Sequence, residues 1–399
     1  MTARPPRRIF LVAGESSGDV LGARLIRALR RLTAAGDGPA ISFSGVGGPM
    51  MEAAGLETSL FPMRELSVMG LVEILPHAPR LLRRLRETAR AVERLRPDLV
   101  VTIDSPGFAH RLAARLIACP ATAAIPRVHY VAPSVWAWRP GRVFACKRHF
   151  HHLLALLPFE PPFFEKAGLP CDFVGHPVLE SGADRGDGPG FRQRHGIAPE
   201  APLVCLLPGS RPGEAGRLLP VFGQAATLLH RRIPGLRIVT PVADPVRDQV
   251  LAALDGWPGQ PVAVFDEREK FDAMAASGAA LAASGTVALE LALARVPTVI
   301  AYRLSPLTYF LLRRMARVRY VHLLNILLDR AAAPERLQAD CRPERLAEDM
   351  ARLLGPDGDR QIRELAPALA ALRPPGDDSP AACAARILLG LSGKKQGRE

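Results

Sequence analysis

The chain has 399 residues, 48% of them hydrophobic, and a formal net charge of +13, with a pI of about 10.2. That length suggests two domains rather than one. No apolar run reaches the roughly 18 residues of a spanning helix, and the scattered cysteines at 119, 146, 171, 205, 341 and 383 form no CxxC pair, which argues against a disulfide or zinc framework.

The charge points to an acidic partner: nucleic acid, anionic lipid or a phosphorylated substrate. Met1–Arg8 is basic, but Ile9–Gly14 is too short for a signal-peptide core, so a cytoplasmic protein is expected. Arg8–Ala13 reads as a strand and Val20–Leu32 as an amphipathic helix. Between them, Gly14-Glu-Ser-Ser-Gly-Asp19 is a turn at the strand's C-terminal end, where α/β folds place ligands. It lacks the Lys-Ser/Thr ending of a Walker loop. It is either a ligand loop or a glycine turn with a Ser cap. Ile41–Gly48 is a second strand and turn.

Leu66–Leu75 is apolar except for Ser67 and Glu73, and an arginine-rich helix runs on to Leu95. This is either a core helix with a solvated basic side or a segment that docks on an anionic bilayer. Pro97–Asp104 is a buried strand ending in a carboxylate. Asp104 reads as a helix cap or as a general base facing a substrate hydroxyl. Val128–Arg139 carries Trp136 and Trp138 in a loop after a strand; with His129 and Arg139 it suits a sugar or its phosphate, or it is a packed loop beneath a domain cleft. His149, His151 and His152 have no carboxylate or cysteine companion at metal spacing, so no metal is expected. Leu153–Leu157 and Cys171–Val174 are the last strands of this half.

Ser181–Gly190 is the clearest linker signal, and after it the α/β alternation restarts. Leu203–Leu207 is a strand, Gly209-Ser210-Arg211 a phosphate-sized turn, and Glu214–Arg232 a helix. Leu236–Pro241 and Val262–Phe265 are further strands. Ala279–Ala283 leads into Ser284-Gly285-Thr286 at a helix start, with Glu290 about one turn later. That start is an ordinary cap or an anion site, with Glu290 placed for ribose hydroxyls. The two turns converge on one end of a second parallel sheet. Ser305–Tyr320 mixes aromatics with arginines. Asn325 reads as a helix cap or a ligand contact. From Pro343 the chain is mostly helical, ending in a basic tail, Lys394–Arg398.

Five segments then make a resemblance specific: Gly14–Asp19, Ser67-Val-Met-Gly70, His129-Tyr-Val-Ala-Pro-Ser-Val-Trp-Ala-Trp-Arg139, Leu207-Pro-Gly-Ser-Arg211 and Ala283-Ser-Gly-Thr286. In this order they resemble the lipid-A-disaccharide synthases. The resemblance implies an α/β chain of the GT-B glycosyltransferase fold, two Rossmann-like domains facing a cleft. Residues 1–180 would form the acceptor and membrane-facing domain, 181–190 the linker and 191–360 the UDP-sugar domain. Residues 361–399 would be C-terminal helices and tail, packing on the first domain or exchanged between subunits of a homodimer. The implied reaction is an inverting, metal-independent transfer with no cofactor. It would join UDP-2,3-diacylglucosamine to 2,3-diacylglucosamine 1-phosphate, giving a β-1,6-linked disaccharide 1-phosphate and UDP, at the inner face of the cytoplasmic membrane. Asp104 is the expected base and Glu15 its rival. Ser17, His129, Trp136, Arg139, Gly209, Ser210, Arg211, Ser284, Gly285, Thr286, Glu290 and Asn325 are the expected substrate contacts. A UDP-sugar 2-epimerase of the same architecture and a non-catalytic peripheral membrane protein are the alternatives. Nucleic acid is disfavoured, because the aromatic and basic residues follow no RNA-binding module.

Overall fold

A computed structural model describes residues 7–34, 40–66, 71–283, 285–305, 309–310, 314–315 and 318–393, with backbone alone for 71–78 and 393. Ser67–Gly70, Ser284 and parts of the 305–320 segment lie outside the described residues. The chain divides into two compact units, Met1–Pro177 with Leu372–Glu399, and Val178–Ala371. No described helix is long and apolar enough to cross a membrane.

The first unit is built on β1 (Arg7–Ala13), β2 (Ile41–Val46), β3 (Leu99–Ile103), β4 (Arg127–Tyr130), β5 (His152–Ala155) and β6 (Cys171–Phe173). They form one six-stranded sheet in the order β2-β1-β3-β4-β5-β6, and every pairing is parallel. Parallel strands covered on both faces need continuous apolar runs, and Ile9–Ala13 and Leu99–Ile103 supply them, each residue buried. One face is covered by the helix Ser16–Ala34 through Leu25, Ile26 and Leu29, together with Ala381, Ala384, Ala385 and Leu388 of the final helix, Pro380–Gly393. Each large side chain so buried contributes about 1.5–3 kcal/mol. Alanines on the final helix let it lie close. Arg7 fastens its end through the Leu389 carbonyl (3.2 Å) and Ser392 Oγ (3.1 Å). The chain returns to this unit at Leu372, whose carbonyl accepts the His176 amide at 2.9 Å. The opposite face packs on Leu85 and Val92 of helix Leu71–Leu95 and on Leu112 and Leu116 of helix Pro106–Ala118.

Asp19 of the first turn is buried. Its carboxylate accepts the amides of Gly48 (2.9 Å), Met50 (3.0 Å) and Met51 (2.9 Å). It therefore caps the short helix after β2 and ties two neighbouring turns together.

The second unit holds β7 (Leu203–Leu207), β8 (Arg237–Pro241), β9 (Val262–Val264), β10 (Ala279–Ala283), β11 (Thr298–Tyr302) and β12 (Glu335–Leu337). Their order is β12-β11-β10-β7-β8-β9, again parallel throughout. Helices Pro212–Arg232 and Pro343–Leu353 cover one face, and Gly188–Arg194 and Glu267–Ala276 the other.

The glycine-rich stretch 181–190 is folded. It forms a short turn of helix at Ala183–Arg185 and then the helix Gly188–Arg194. Asp187 Oδ1 caps that helix by accepting the Gly190 amide (2.9 Å), and the Asp187 amide donates to Asp272 (2.7 Å). A Cβ on Gly186 would fall 2.2 Å from the Phe271 carbonyl oxygen, and one on Gly188 would fall 2.7 Å from that of Ala275. These glycines mark a close approach of two helices.

The strand order sets where ligands bind. In an open parallel sheet the crevice lies beyond the carboxyl ends of the strands, where the winding direction reverses. In the first unit that point falls between β1 and β3, and in the second between β7 and β10. The turns flanking them are 14–15 with 104–105, and 208–211 with Gly285.

Candidate active site

At the switch point of the second sheet lies a cleft of about 520 Å³. Gly209, Ser210, Arg211, Gly285, Thr286 and Glu290 all line it, as the sequence spacing predicts. Two glycines shape it. Gly209 has φ 104 and Gly285 φ 143, both in the region that favours glycine. Arg211 is the N-cap of helix Pro212–Arg232 and Gly285 that of Thr286–Leu293, so two helix starts face the same space. Such starts present free amides and positive potential to an anion.

Three further lining residues have no signal in the sequence beyond their type: Glu214, Lys270 and Tyr302. Glu214 is buried three residues past the N-cap, the offset of a capping box. Burial pushes its carboxyl up, while Arg211, the Tyr302 hydroxyl and the Ser210 amide pull it down. Burial likewise pushes the Tyr302 hydroxyl up. Lys270 Nζ lies 3.1 Å from both carboxylate oxygens of Glu290, an ion pair little exposed on either side.

In the first unit, Glu15, Asp104, Trp136 and Arg139 lie in the turns that leave β1, β3 and β4, along the C-terminal edge of the sheet, and Ser17 lies in the first turn of helix Ser16–Ala34. A Cβ on Gly14 would fall 2.3 Å from Ser105 Oγ, so the turns after β1 and β3 touch. Glu15 precedes helix Ser16–Ala34 and its carbonyl accepts the Asp19 amide at 3.0 Å. Ser17 is exposed. Asp104 and Ser105 are consecutive left-handed residues, φ 54 and 47, and the Ser105 amide donates to Asp104 Oδ1 at 2.8 Å. Trp136 donates its indole N–H to Glu160 Oε1 at 3.0 Å. The Arg139 guanidinium lies over the Trp138 ring, 4.6 Å from its centroid.

Two expected contacts are corrected. His129 is fully buried inside β4. Its Nδ1 is 2.8 Å from Thr102 Oγ1 and its ring stacks on Phe150 at 4.9 Å. Burial pushes it down to about 3. It is a neutral histidine packed in the core. Asn325 is also fully buried, and its amide is consumed by the Ala333 carbonyl (2.8 Å), the Ala333 amide (2.9 Å) and Glu335 (2.8 Å). It closes a loop. The histidines after Arg148 diverge: His149 meets His110, His151 accepts the Arg127 amide, and His152 pairs with Asp172.

Two parallel αβα units, with an anion-shaped pocket at the switch point of the second, define the GT-B architecture. Solved structures of that architecture match nearly the whole chain. A UDP-GlcNAc 2-epimerase from Neisseria meningitidis bound to UDP-GlcNAc has a TM-score of 0.60 at 11% identity, covering 96% of this chain and 98% of that one. MurG from Acinetobacter baumannii has a TM-score of 0.54 at 16% identity, covering 98% and 100%. These likenesses carry the fold alone. A family model for lipid-A-disaccharide synthetase matches residues 9–368. A lipid-A-disaccharide synthase from Rhodospirillum centenum is 55% identical over 356 residues, 89% of this chain and 87% of the relative. The chain belongs to the lipid-A-disaccharide synthetase family and is a glycosyltransferase.

Proposed function

We propose that the chain joins UDP-2,3-diacylglucosamine to 2,3-diacylglucosamine 1-phosphate, giving the β-1,6-linked disaccharide 1-phosphate and UDP. The family match, which spans both sheets and the pocket, is the observation that carries this reading. UDP occupies the cleft of the second unit. Its diphosphate lies against the Gly209–Arg211 turn and the helix start at Gly285-Thr286, and its ribose against Glu290. The acceptor's 6-hydroxyl oxygen attacks the anomeric carbon as the bond from that carbon to the diphosphate breaks, inverting the centre. Asp104 takes the hydroxyl proton. Arg211 and the two helix starts offset the charge growing on the leaving diphosphate. No metal ion or cofactor is assigned a role. The +13 charge supports peripheral attachment to the anionic inner face of the cytoplasmic membrane.

UDP release in mixed micelles with EDTA tests the reaction. Release that requires the acceptor and yields a disaccharide is the expected result. Donor turnover without acceptor would indicate the epimerase reading, and vesicle binding without turnover a non-catalytic membrane protein.

Gly209→Ala tests the nucleotide turn. At φ 104 a Cβ would fall 2.2 Å from Glu214 Oε2, driving that carboxylate off the Ser210 amide. UDP affinity by calorimetry is expected to drop by about tenfold or more. Unchanged affinity would move the diphosphate elsewhere.

A further inference from the structure

Glu160 lies in the turn after β5 and is 3% exposed. Three N–H donors converge on it. Oε1 accepts the Trp136 indole at 3.0 Å, and Oε2 accepts the Leu156 and Leu157 amides, each at 3.1 Å. The Phe159 ring meets Trp136 edge-on, centroids 5.0 Å apart. One buried carboxylate thus fastens the loop after β4 to the turn after β5, both at the C-terminal edge of the first sheet.

That loop needs fastening. Val131, at its start, has φ 80, and Arg139, at its end, has φ 51. A β-branched residue adopts a positive φ only where its surroundings hold it. The amides of Val131 and Ala132 both donate to the Leu154 carbonyl, at 3.1 Å each, which secures the start. Midway along, the loop is tied by the side-chain bond from Trp136 to Glu160. Beyond it, the guanidinium groups of Arg139 and Arg142 lie over the Trp138 ring at 4.6 and 4.8 Å. The loop presents an aromatic face with two cations, suited to a sugar phosphate. If Glu160 were only filling space, an apolar side chain would do so without burying a charge.

We propose that Glu160 is a positioning residue for the acceptor: through Trp136 it holds the 131–139 loop in the arrangement that binds the sugar phosphate. This rests on the proposed reaction. Glu160 itself touches no reacting atom.

The link carries a pH signature. Burial pushes the Glu160 carboxyl up to about 7, while the Trp136, Leu157 and Leu156 N–H groups pull it down. Among the described residues no arginine or lysine pairs with it. The groups nearby are the Cys171 thiol on β6, itself pushed up by burial and then by Glu160, and the acids Asp172 and Glu165, which act on the same thiol. The ionised carboxylate accepts all three donors. Protonation turns one oxygen into a donor and a poor acceptor. With Glu160 still buried, the loosened arrangement lacks the three donors that pull the carboxyl down and so holds the proton more tightly; the loop is therefore fastened above pH 7 and loosened as pH falls through it.

The test compares wild type, Glu160→Gln and Trp136→Phe between about pH 6 and 8.5, by acceptor and donor KM and by tryptophan emission, with Trp136→Phe giving the background of Trp138 and Trp257. In wild type, acceptor KM rises as pH falls through about 7, and emission shifts with it. Glu160→Gln raises acceptor KM by about tenfold or more at the alkaline end, leaves donor KM unchanged and abolishes the emission shift. Acceptor KM and emission superimposable on wild type would overturn the proposal. Should Glu160→Gln not fold, Trp136→Phe, which removes the donating N–H and trims the ring, decides: an acceptor KM that no longer changes as pH falls through about 7 supports the link, and one that keeps the wild-type pH dependence overturns it. A folded wild type without acceptor-dependent UDP release would instead sink the proposed reaction, while the emission profile still reads whether Glu160 controls Trp136.

Discussion

Asp104→Asn is expected to lower acceptor-dependent UDP release by about a hundred- to ten-thousand-fold, with UDP affinity unchanged. The size of the effect follows from the role: a general base contributes that much when it faces the attacking hydroxyl, and the amide cannot take the proton. Selectivity follows from the placement. Asp104 is the first residue past β3 in the first unit, whereas every residue lining the cleft proposed for UDP belongs to the second. The substitution also spares the fold. Asp104 sits at φ 54, ahead of Ser105 at φ 47, and asparagine tolerates the left-handed region as well as aspartate does. Its side-chain oxygen can still accept the Ser105 amide, and the backbone amide still donates to the Tyr130 carbonyl (2.9 Å). Single-turnover transfer and UDP calorimetry on one preparation make the check. Near-wild-type transfer would pass the role to Glu15, which leaves the adjacent strand β1, and Glu15→Gln would then show the larger loss.

The fold was legible wherever strands are short apolar runs closed by glycine, serine or aspartate. Ala279–Ala283 and Leu203–Leu207 are buried at every position, and such runs declare parallel strands. β12 gave no such signal. Glu335-Arg336-Leu337 is three residues long and half-buried throughout, and at the sheet's edge it pairs only with β11. The 181–190 stretch is ambiguous in sequence for a different reason. Glycine permits both a slack chain and a close contact, and only the Phe271 and Ala275 backbone opposite shows which applies.

The same division governs the site. Turns after strands are fixed by local order, so Gly209, Arg211, Thr286 and Asp104 could be placed from the sequence. Side-chain direction and long-range pairing could not. His129 lies in the aromatic-rich stretch expected to bind sugar, yet as an interior residue of β4 it points to the core. Asn325 spends its amide on a loop eight residues away. The partners that complete the site come from other elements: Lys270 for Glu290, Tyr302 for Glu214, Glu160 for Trp136. Sequence spacing carries no term for those distances.

Arg211→Ala is the second large effect. A guanidinium at the N-cap of a 21-residue helix has the wrong sign for that position, where the helix end is already positive and favours anions. Glu214, partly offsetting it, is itself buried and pushed up. An exposed cation held beside a positive helix end is accounted for by an anion that arrives later, and a diphosphate fits the turn. Removing Arg211 is therefore expected to change stability and activity in opposite directions. Unliganded protein should be unchanged or stabilised by about 0.3–1 kcal/mol, read by urea denaturation. Turnover should drop by about a hundred- to a thousand-fold, because the charge to be neutralised grows on the leaving diphosphate as its bond to the sugar breaks. Arg211→Lys should recover only part of that loss, since a single ammonium keeps the charge but not the planar two-donor fork. If Arg211→Ala destabilised the unliganded fold and left turnover intact, the arginine would be a structural residue of the turn, and leaving-group stabilisation would rest on the two helix starts alone.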